Sequence, residues 1–179
     1  MASLLAACAS TPPAPPPRLP AFRVAPADFG APLQLVQRLQ VLQLREGQRA
    51  PKERQLDTLL QLDGDALRLA ALALSQRVLT LVWDGRELLV QRHPMLPAEV
   101  DPERVLRDIA LVFAPLGALR QGLGSEWALS EAEGRRELRL NGELLLVVHY
   151  LQGREQVEID NRAERYRLRI ESRAAEGAV

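Results

Sequence analysis

Few residues in this chain could do covalent chemistry. The single thiol, Cys8, follows Leu5-Ala6-Ala7. A thiolate is the side chain suited to taking an alkyl substituent as a thioether, and two small residues behind a bulky aliphatic one let the backbone enter a protease cleft. One Cys also excludes a disulfide framework and a Cys-based zinc site. The two histidines, His93 and His149, form no H-x-x-x-H or H-E-x-x-H pair, so no protein-built transition-metal site is expected. His93 stands before Pro94 at a strand end and is expected to stabilise a turn by a hydrogen bond. His149, beside Tyr150 in a strand, is read as structural. Asp63 and Asp65 flank Gly64; paired carboxylates can perform acid–base catalysis, but around a turn glycine they are expected to serve the hairpin. Gly122-Leu123-Gly124-Ser125 lacks both the second glycine of a nucleophile elbow and the Lys of a P-loop. The sequence thus nominates no catalytic residue, no metal ligand and no cofactor, and the protein is expected not to be an enzyme.

Charge narrows the partners. The 23 basic and 23 acidic side chains balance and are scattered, so no electrostatic footprint for nucleic acid appears. All basic residues but Lys52 are Arg, which reflects base composition more simply than a phosphate-reading surface. From Ala9 to Pro20 the chain reads ASTPPAPPPRLP, a run prone to polyproline II that can neither pair in a sheet nor build a core; it is a spacer. The expected organisation is a short segment at 1–7, Cys8 with the Pro-rich tether at 8–20, and one domain at 21–179, long enough for one sizeable core.

Past the spacer, apolar runs alternate with Glu46-Gly47, Asp63-Gly64, Asp84-Gly85, Asn141-Gly142 and Gln152-Gly153. Asp-Gly and Asn-Gly between strand-like runs signal hairpins, because both central residues of a type I′ turn need positive φ. Strands are expected at 33–45, 54–62, 66–74, 78–83, 86–92, 135–141, 143–151, 154–160 and 165–172, with a weaker one near 126–130. Leu56, Thr58, Leu60 and Leu62 share one face of their strand. Asp101-Pro102-Glu103 is helix-start chemistry, an N-cap followed by Pro at the first helical position and an acidic first turn. Val105, Leu106, Ile109, Val112, Phe113 and Leu116 recur at helical spacing, Arg104, Arg107 and Asp108 take the remaining face, and Pro115 closes the helix.

About nine strands at about 4.8 Å spacing make a sheet roughly 43 Å wide, whereas a helix is about 10–12 Å across. The sheet must therefore curl into a barrel or half-barrel, with the helix over its open side. The fold class expected is mainly β with one main α-helix, a curled antiparallel sheet closed by that helix over an apolar hollow. Val105, Ile109, Val112, Phe113, Leu56, Leu60, Leu62 and Trp83 are the candidate lining and lid; Trp83 and Trp127 could equally pack in the core. The runs Leu67–Leu74, Val78–Trp83 and Leu144–Val148 are apolar on both faces. The helix and the 116–130 connection are expected to cover the second face.

Leu5-Ala6-Ala7-Cys8 resembles the lipobox of bacterial lipoproteins, which implies that 1–7 is the remnant of a lipoprotein signal peptide cleaved after Ala7 and that Cys8 is acylated. By the same resemblance, Ala9 in place of Asp implies sorting to the outer membrane, with the domain on its periplasmic face. Arg92-His93-Pro94-Met95-Leu96-Pro97 with Val105-Leu106-Arg107-Asp108, and Ile159-Asp160-Asn161-Arg162 with Tyr166-Arg167-Leu168-Arg169-Ile170, resemble an uncharacterised family of bacterial lipoproteins often encoded beside aryl-polyene or fatty-acid-like biosynthesis genes. That family is similar in architecture to the carriers LolA and LolB. The resemblance implies a monomer binding acyl chains or a lipid-like product, with partners limited to the membrane, a lipid ligand and envelope proteins. Met95 and Leu96 are the candidates for a loop that touches membrane or partner. The alternative expectation is an envelope interaction module docking through an apolar patch.

Overall fold

Three hairpins show how the chain reverses. The computed structural model describes residues 17–44, 52–98 and 100–175. Asn141 and Gly142 both have positive φ, 47° and 87°, as a type I′ turn requires. Glu133–Gly134 does the same at 51° and 72°, and Leu74–Ser75 at 49° and 63°, the latter without a glycine. The Asp-Gly turns work differently from the expectation. Gly85 has positive φ but Asp84 does not, and neither Asp63 nor Gly64 does. Instead the aspartate side chains close the turns. Asp63 Oδ1 accepts the backbone N–H groups of Asp65 and Ala66 at 2.9 and 2.8 Å, and Asp84 Oδ1 those of Arg86 and Glu87 at 2.8 and 2.7 Å. These backbone donors hold both carboxyls below the usual carboxylate range. The Glu46-Gly47 turn lies outside the described residues.

Turns of this kind build β1 (Leu33–Gln43), β2 (Lys52–Leu62), β3 (Leu67–Ala73), β4 (Gln76–Trp83) and β5 (Leu88–Arg92), then α1 (Pro102–Phe113) and α2 (Leu116–Arg120), then β6 (Trp127–Ala132), β7 (Arg135–Leu140), β8 (Glu143–Gln152), β9 (Gln156–Asn161) and β10 (Tyr166–Ala174). The strand order is β5-β4-β3-β2-β1-β10-β9-β8-β7-β6, with all pairs antiparallel. Two five-stranded meanders are thus fused along β1 and β10, from Leu35 opposite Ala174 to Gln43 opposite Tyr166. The ten strands form one curled, unclosed sheet whose edges are β5 and β6, and α1 packs into its concavity. The mainly β fold expected from the sequence is the fold observed.

The start of α1 follows its sequence. Asp101 caps it, accepting the N–H of Glu103 at 3.0 Å, and Pro102 occupies the first turn. The helix stops at Phe113, before Pro115, so Leu116 belongs to α2. The core lies between α1 and the concave face, where period two puts Leu60, Leu62, Leu67, Leu69, Leu81, Trp83, Leu138, Leu146, Val148, Val157 and Ile159. Trp83 donates its indole N–H to Val24 O at 2.8 Å, which ties residues 22–29 over that end of the sheet.

The convex face departs from the expectation of a covering helix. On β3 and β4, Ala70, Leu72, Thr80 and Val82 are only half-buried, and on β2 and β1 the directly paired Leu59 and Val36 are exposed. Val147 on β8 is buried, flanked in register by Glu137 and Asp160. Those carboxylates hold Arg139 at 2.8 Å, Arg135 at 3.2 Å and Arg162 at 3.5 Å. Long ion-paired stems can shield an apolar neighbour in place of a second layer. No helix among the described residues is long and apolar enough to cross a membrane.

Candidate functional site

Val105, Ile109 and Phe113 recur every four residues along α1 and form a stripe facing the sheet. Beneath them is a cavity of about 150 Å³. Its opposite wall is the concave face of three adjacent strands, with Leu39 and Val41 of β1, Leu56 of β2, and Leu168 and Ile170 of β10; Leu69 of β3 adds to it. Polar groups sit at its ends. Gln37 lies at one, where its amide donates to Ser172 Oγ at 2.9 Å and accepts from Thr58 Oγ1 at 3.3 Å, a buried belt across β2, β1 and β10. Gln43, Arg54, Asp101, Arg104, Asp108 and Tyr166 line the remainder.

Of the lining expected from the sequence, Val105, Ile109, Phe113 and Leu56 meet around this cavity. Val112, Leu60, Leu62 and Trp83 are buried in the packed core and do not line it. The loop pair divides. Met95 is 65% exposed, but Leu96 is only 7% exposed and belongs to the core, so it cannot project toward a membrane or a partner. The loop is held from inside: Met95 N–H donates to His93 Nδ1 at 3.2 Å, the turn-stabilising contact expected of that histidine, and Arg92 donates to Pro97 O at 3.0 Å and to Val100 O. His149 is half-buried on β8. Among the described residues no cluster of His, Cys, Asp and Glu could hold a metal ion. Cys8 lies outside the described residues.

The larger correction concerns Arg107 and Asp108, expected on the helix face left over by the apolar stripe and found only 4% and 6% exposed. Arg107 forms a two-pronged pair with Glu164, both N···O distances 2.7 Å, and also donates to Asp108 Oδ1 at 3.2 Å and to Tyr166 OH at 3.0 Å. Tyr166 in turn donates to Asp108 Oδ2. Asn161 supports the cluster, donating to Glu164 Oε2 at 3.2 Å and accepting the Glu164 N–H at 2.9 Å. Burial raises the pKa of Asp108 against the pull of Arg107, and burial beside Asp108 pushes the Tyr166 phenol well up. Glu164 is also penalised by burial, but the Arg107 hydrogen bonds and charge outweigh that and lower its pKa. The arrangement is a latch joining α1 to the β9–β10 turn.

A second clamp holds the other end of α1. The buried Arg136 of β7 donates to Leu111 O and Ala114 O, both at 2.7 Å, and to Glu131 Oε2. Tyr150 OH donates to Val112 O at 2.9 Å. A guanidinium at a helix C-terminus satisfies orphan carbonyls and complements the dipole.

The family model described as a protein of unknown function (DUF3261) matches residues 37–174. The chain belongs to the DUF3261 family. The DUF3261 match spans every residue lining the cavity, both clamps on α1, all of β10 and β1 from Gln37 onward. No curated protein matches the chain. Among solved structures, a DUF1329 family protein from Desulfovibrio piger is similar at 10% sequence identity and a TM-score of 0.42, over 89% of this DUF3261 chain and 92% of the other.

Proposed function

We propose that this DUF3261 protein is a non-catalytic lipoprotein, anchored in the outer membrane through acylated Cys8 and facing the periplasm, that carries acyl chains or another apolar, lipid-like molecule. The observation that supports this reading is the hollow under α1, apolar along Leu39, Val41, Leu56, Val105, Ile109 and Phe113. An apolar cavity near 150 Å³ takes a guest about the size of benzene, so the hollow suits a chain terminus or a ring, and the rest of a longer chain would extend through the mouth. Binding would come from apolar area at about 25 cal/mol per Å² buried. An interaction module docking through an apolar patch, such as the exposed Val36 and Leu59 pair, would have no use for such a space.

Native mass spectrometry of protein purified without detergent is expected to show co-purifying lipid, and a fluorescent fatty acid is expected to bind. A clean apo mass with no uptake would refute the carrier reading. The anchor is tested separately: the full-length gene product should incorporate labelled palmitate, and Cys8→Ser should release it from the membrane fraction. Failure of both would remove the anchor and leave the hollow's reading standing.

A further inference from the structure

We infer that the hollow takes an anionic amphiphile, with the apolar portion under α1 and a carboxylate or phosphate head at Arg54 and Arg104. This rests on the reading of the hollow as a ligand site and adds the chemistry of the ligand's polar end. The starting point is register. Arg54 alternates with Leu56, Thr58 and Leu60 along β2 and lies opposite Val41 of β1, so its side chain shares the concave face with the apolar wall and lines the same cavity. Arg54 is half-buried, and its side chain has no hydrogen bond or ion pair among the described residues. A second donor faces it across the space from α1. Arg104 Nε is buried and lacks a hydrogen-bond acceptor, although it stands 3.0 Å from Glu164 Oε2 outside hydrogen-bonding geometry.

The buried acceptors bordering this space are already engaged, which leaves Gln43 and one Asp101 oxygen as the lining acceptors without a donor among the described residues. Asp108 receives Arg107 on one oxygen and Tyr166 on the other; Glu164 receives Arg107 on both and Asn161 on one; Asp101 Oδ1 receives the Glu103 N–H. Tyr166 OH accepts from Arg107 and spends its proton on Asp108. The polar part of the hollow therefore holds two guanidinium groups with donors to spare, Arg54 with no ion pair among the described residues and Arg104 with its Nε unbonded. Desolvated donors without acceptors are costly, and a guanidinium fork matches the paired oxygens of a carboxylate or a phosphate. A cationic head would be repelled by the two guanidinium groups, and a neutral alcohol could accept a hydrogen bond but would offset no charge.

Titration calorimetry of the purified protein with decanoate, decyl phosphate and decanol separates the possibilities. Either anion is expected to bind about tenfold more tightly than decanol, the scale of a charge-assisted hydrogen bond, and the tighter of the two identifies the head as carboxylate or phosphate. Arg54→Gln, at a position with no structural partner, should lower anion affinity to the level of decanol, leave decanol binding unchanged and leave the melting temperature unchanged. Equal binding of decanol and both anions, or an anion preference that survives Arg54→Gln, would overturn the inference while the hollow stays a lipid site. If none of the three binds, the carrier reading itself fails and this inference falls with it.

Discussion

The two halves of α1 rest on different ground. Its C-terminal turn, from Ala110 to Phe113, presses on a filled core in which Leu111 and Val112 are wholly buried, with Phe113 alone reaching the hollow, and Arg136 and Tyr150 hold its carbonyls from β7 and β8. The turns before it bury Leu106 in the core but leave empty space between Val105, Ile109 and the β1–β2–β10 wall, and are held by the Arg107 latch. One half is fixed by close packing plus neutral carbonyl acceptors; the other substitutes an ionic contact for the packing it lacks. A helix that covers a hollow draws less stability from what lies beneath it, so the latch adds to Leu106 in securing that end.

The largest effect should come from cutting the latch. Arg107→Leu leaves Asp108 and Glu164 without their shared cation, and stranding one partner of a buried ion pair costs about 3–5 kcal/mol; urea unfolding should show the midpoint fall with little change in slope. Arg136→Leu strips two helix carbonyls and Glu131 of a donor, a loss of about 2–3 kcal/mol. If the halves differ as described, amide exchange in Arg107→Leu will speed up in the first two turns of α1, and in Arg136→Leu in the last. Uniform loss of protection in both variants would make α1 a single cooperative unit and erase the distinction.

A matched pair of overpacking substitutions is next in size. Val112→Phe enters a region with no room and should cost about 1–3 kcal/mol. Ile109→Phe adds a ring where the hollow can receive it; its cost should stay under about 1 kcal/mol, while uptake of a fluorescent fatty acid is lost. Equal costs at both positions would mean the hollow collapses in solution.

How far this contrast was legible in the sequence depends on distance along the chain. Strands and their faces followed from alternation and turn residues, and the start of α1 from Asp101-Pro102-Glu103, because those signals are local. The face of Leu56, Leu60 and Leu62 was readable, but their depth was not: Leu60 lies about 13 Å along β2 from Leu56, past the end of the hollow and inside the filled core. The latch was missed because its halves are separated by 57 residues between Arg107 and Glu164 and 58 between Asp108 and Tyr166. A local signal did exist. Asp108 is three residues after Val105 and one before Ile109, so it falls on the apolar stripe, and a carboxylate there requires a buried partner. Leu96 was misplaced for the opposite reason, since an apolar residue between prolines gives no indication of the core that receives it.

The smallest effect tests the latch by pH. The Glu164 pKa is held below its ordinary 4.5, so between the two values the unfolded chain binds more protons and stability rises with pH. The contribution is complete above about pH 4.5 and is lost as pH falls through the folded value. Asp108 has the opposite sign: burial raises its pKa, so the folded state takes up that proton first, and acidification there does not weaken the fold. Within the latch, acid loss should therefore wait for Glu164, while Asp63, Asp84 and Glu137, also held low, add to the acid limb from elsewhere. Glu164→Gln should lower stability at neutral pH and flatten the acid limb of the melting-temperature profile below about pH 4.5. An acid limb as steep as that of the unsubstituted protein would place its origin outside the latch, and the N-terminal half of α1 would then owe its position to packing after all.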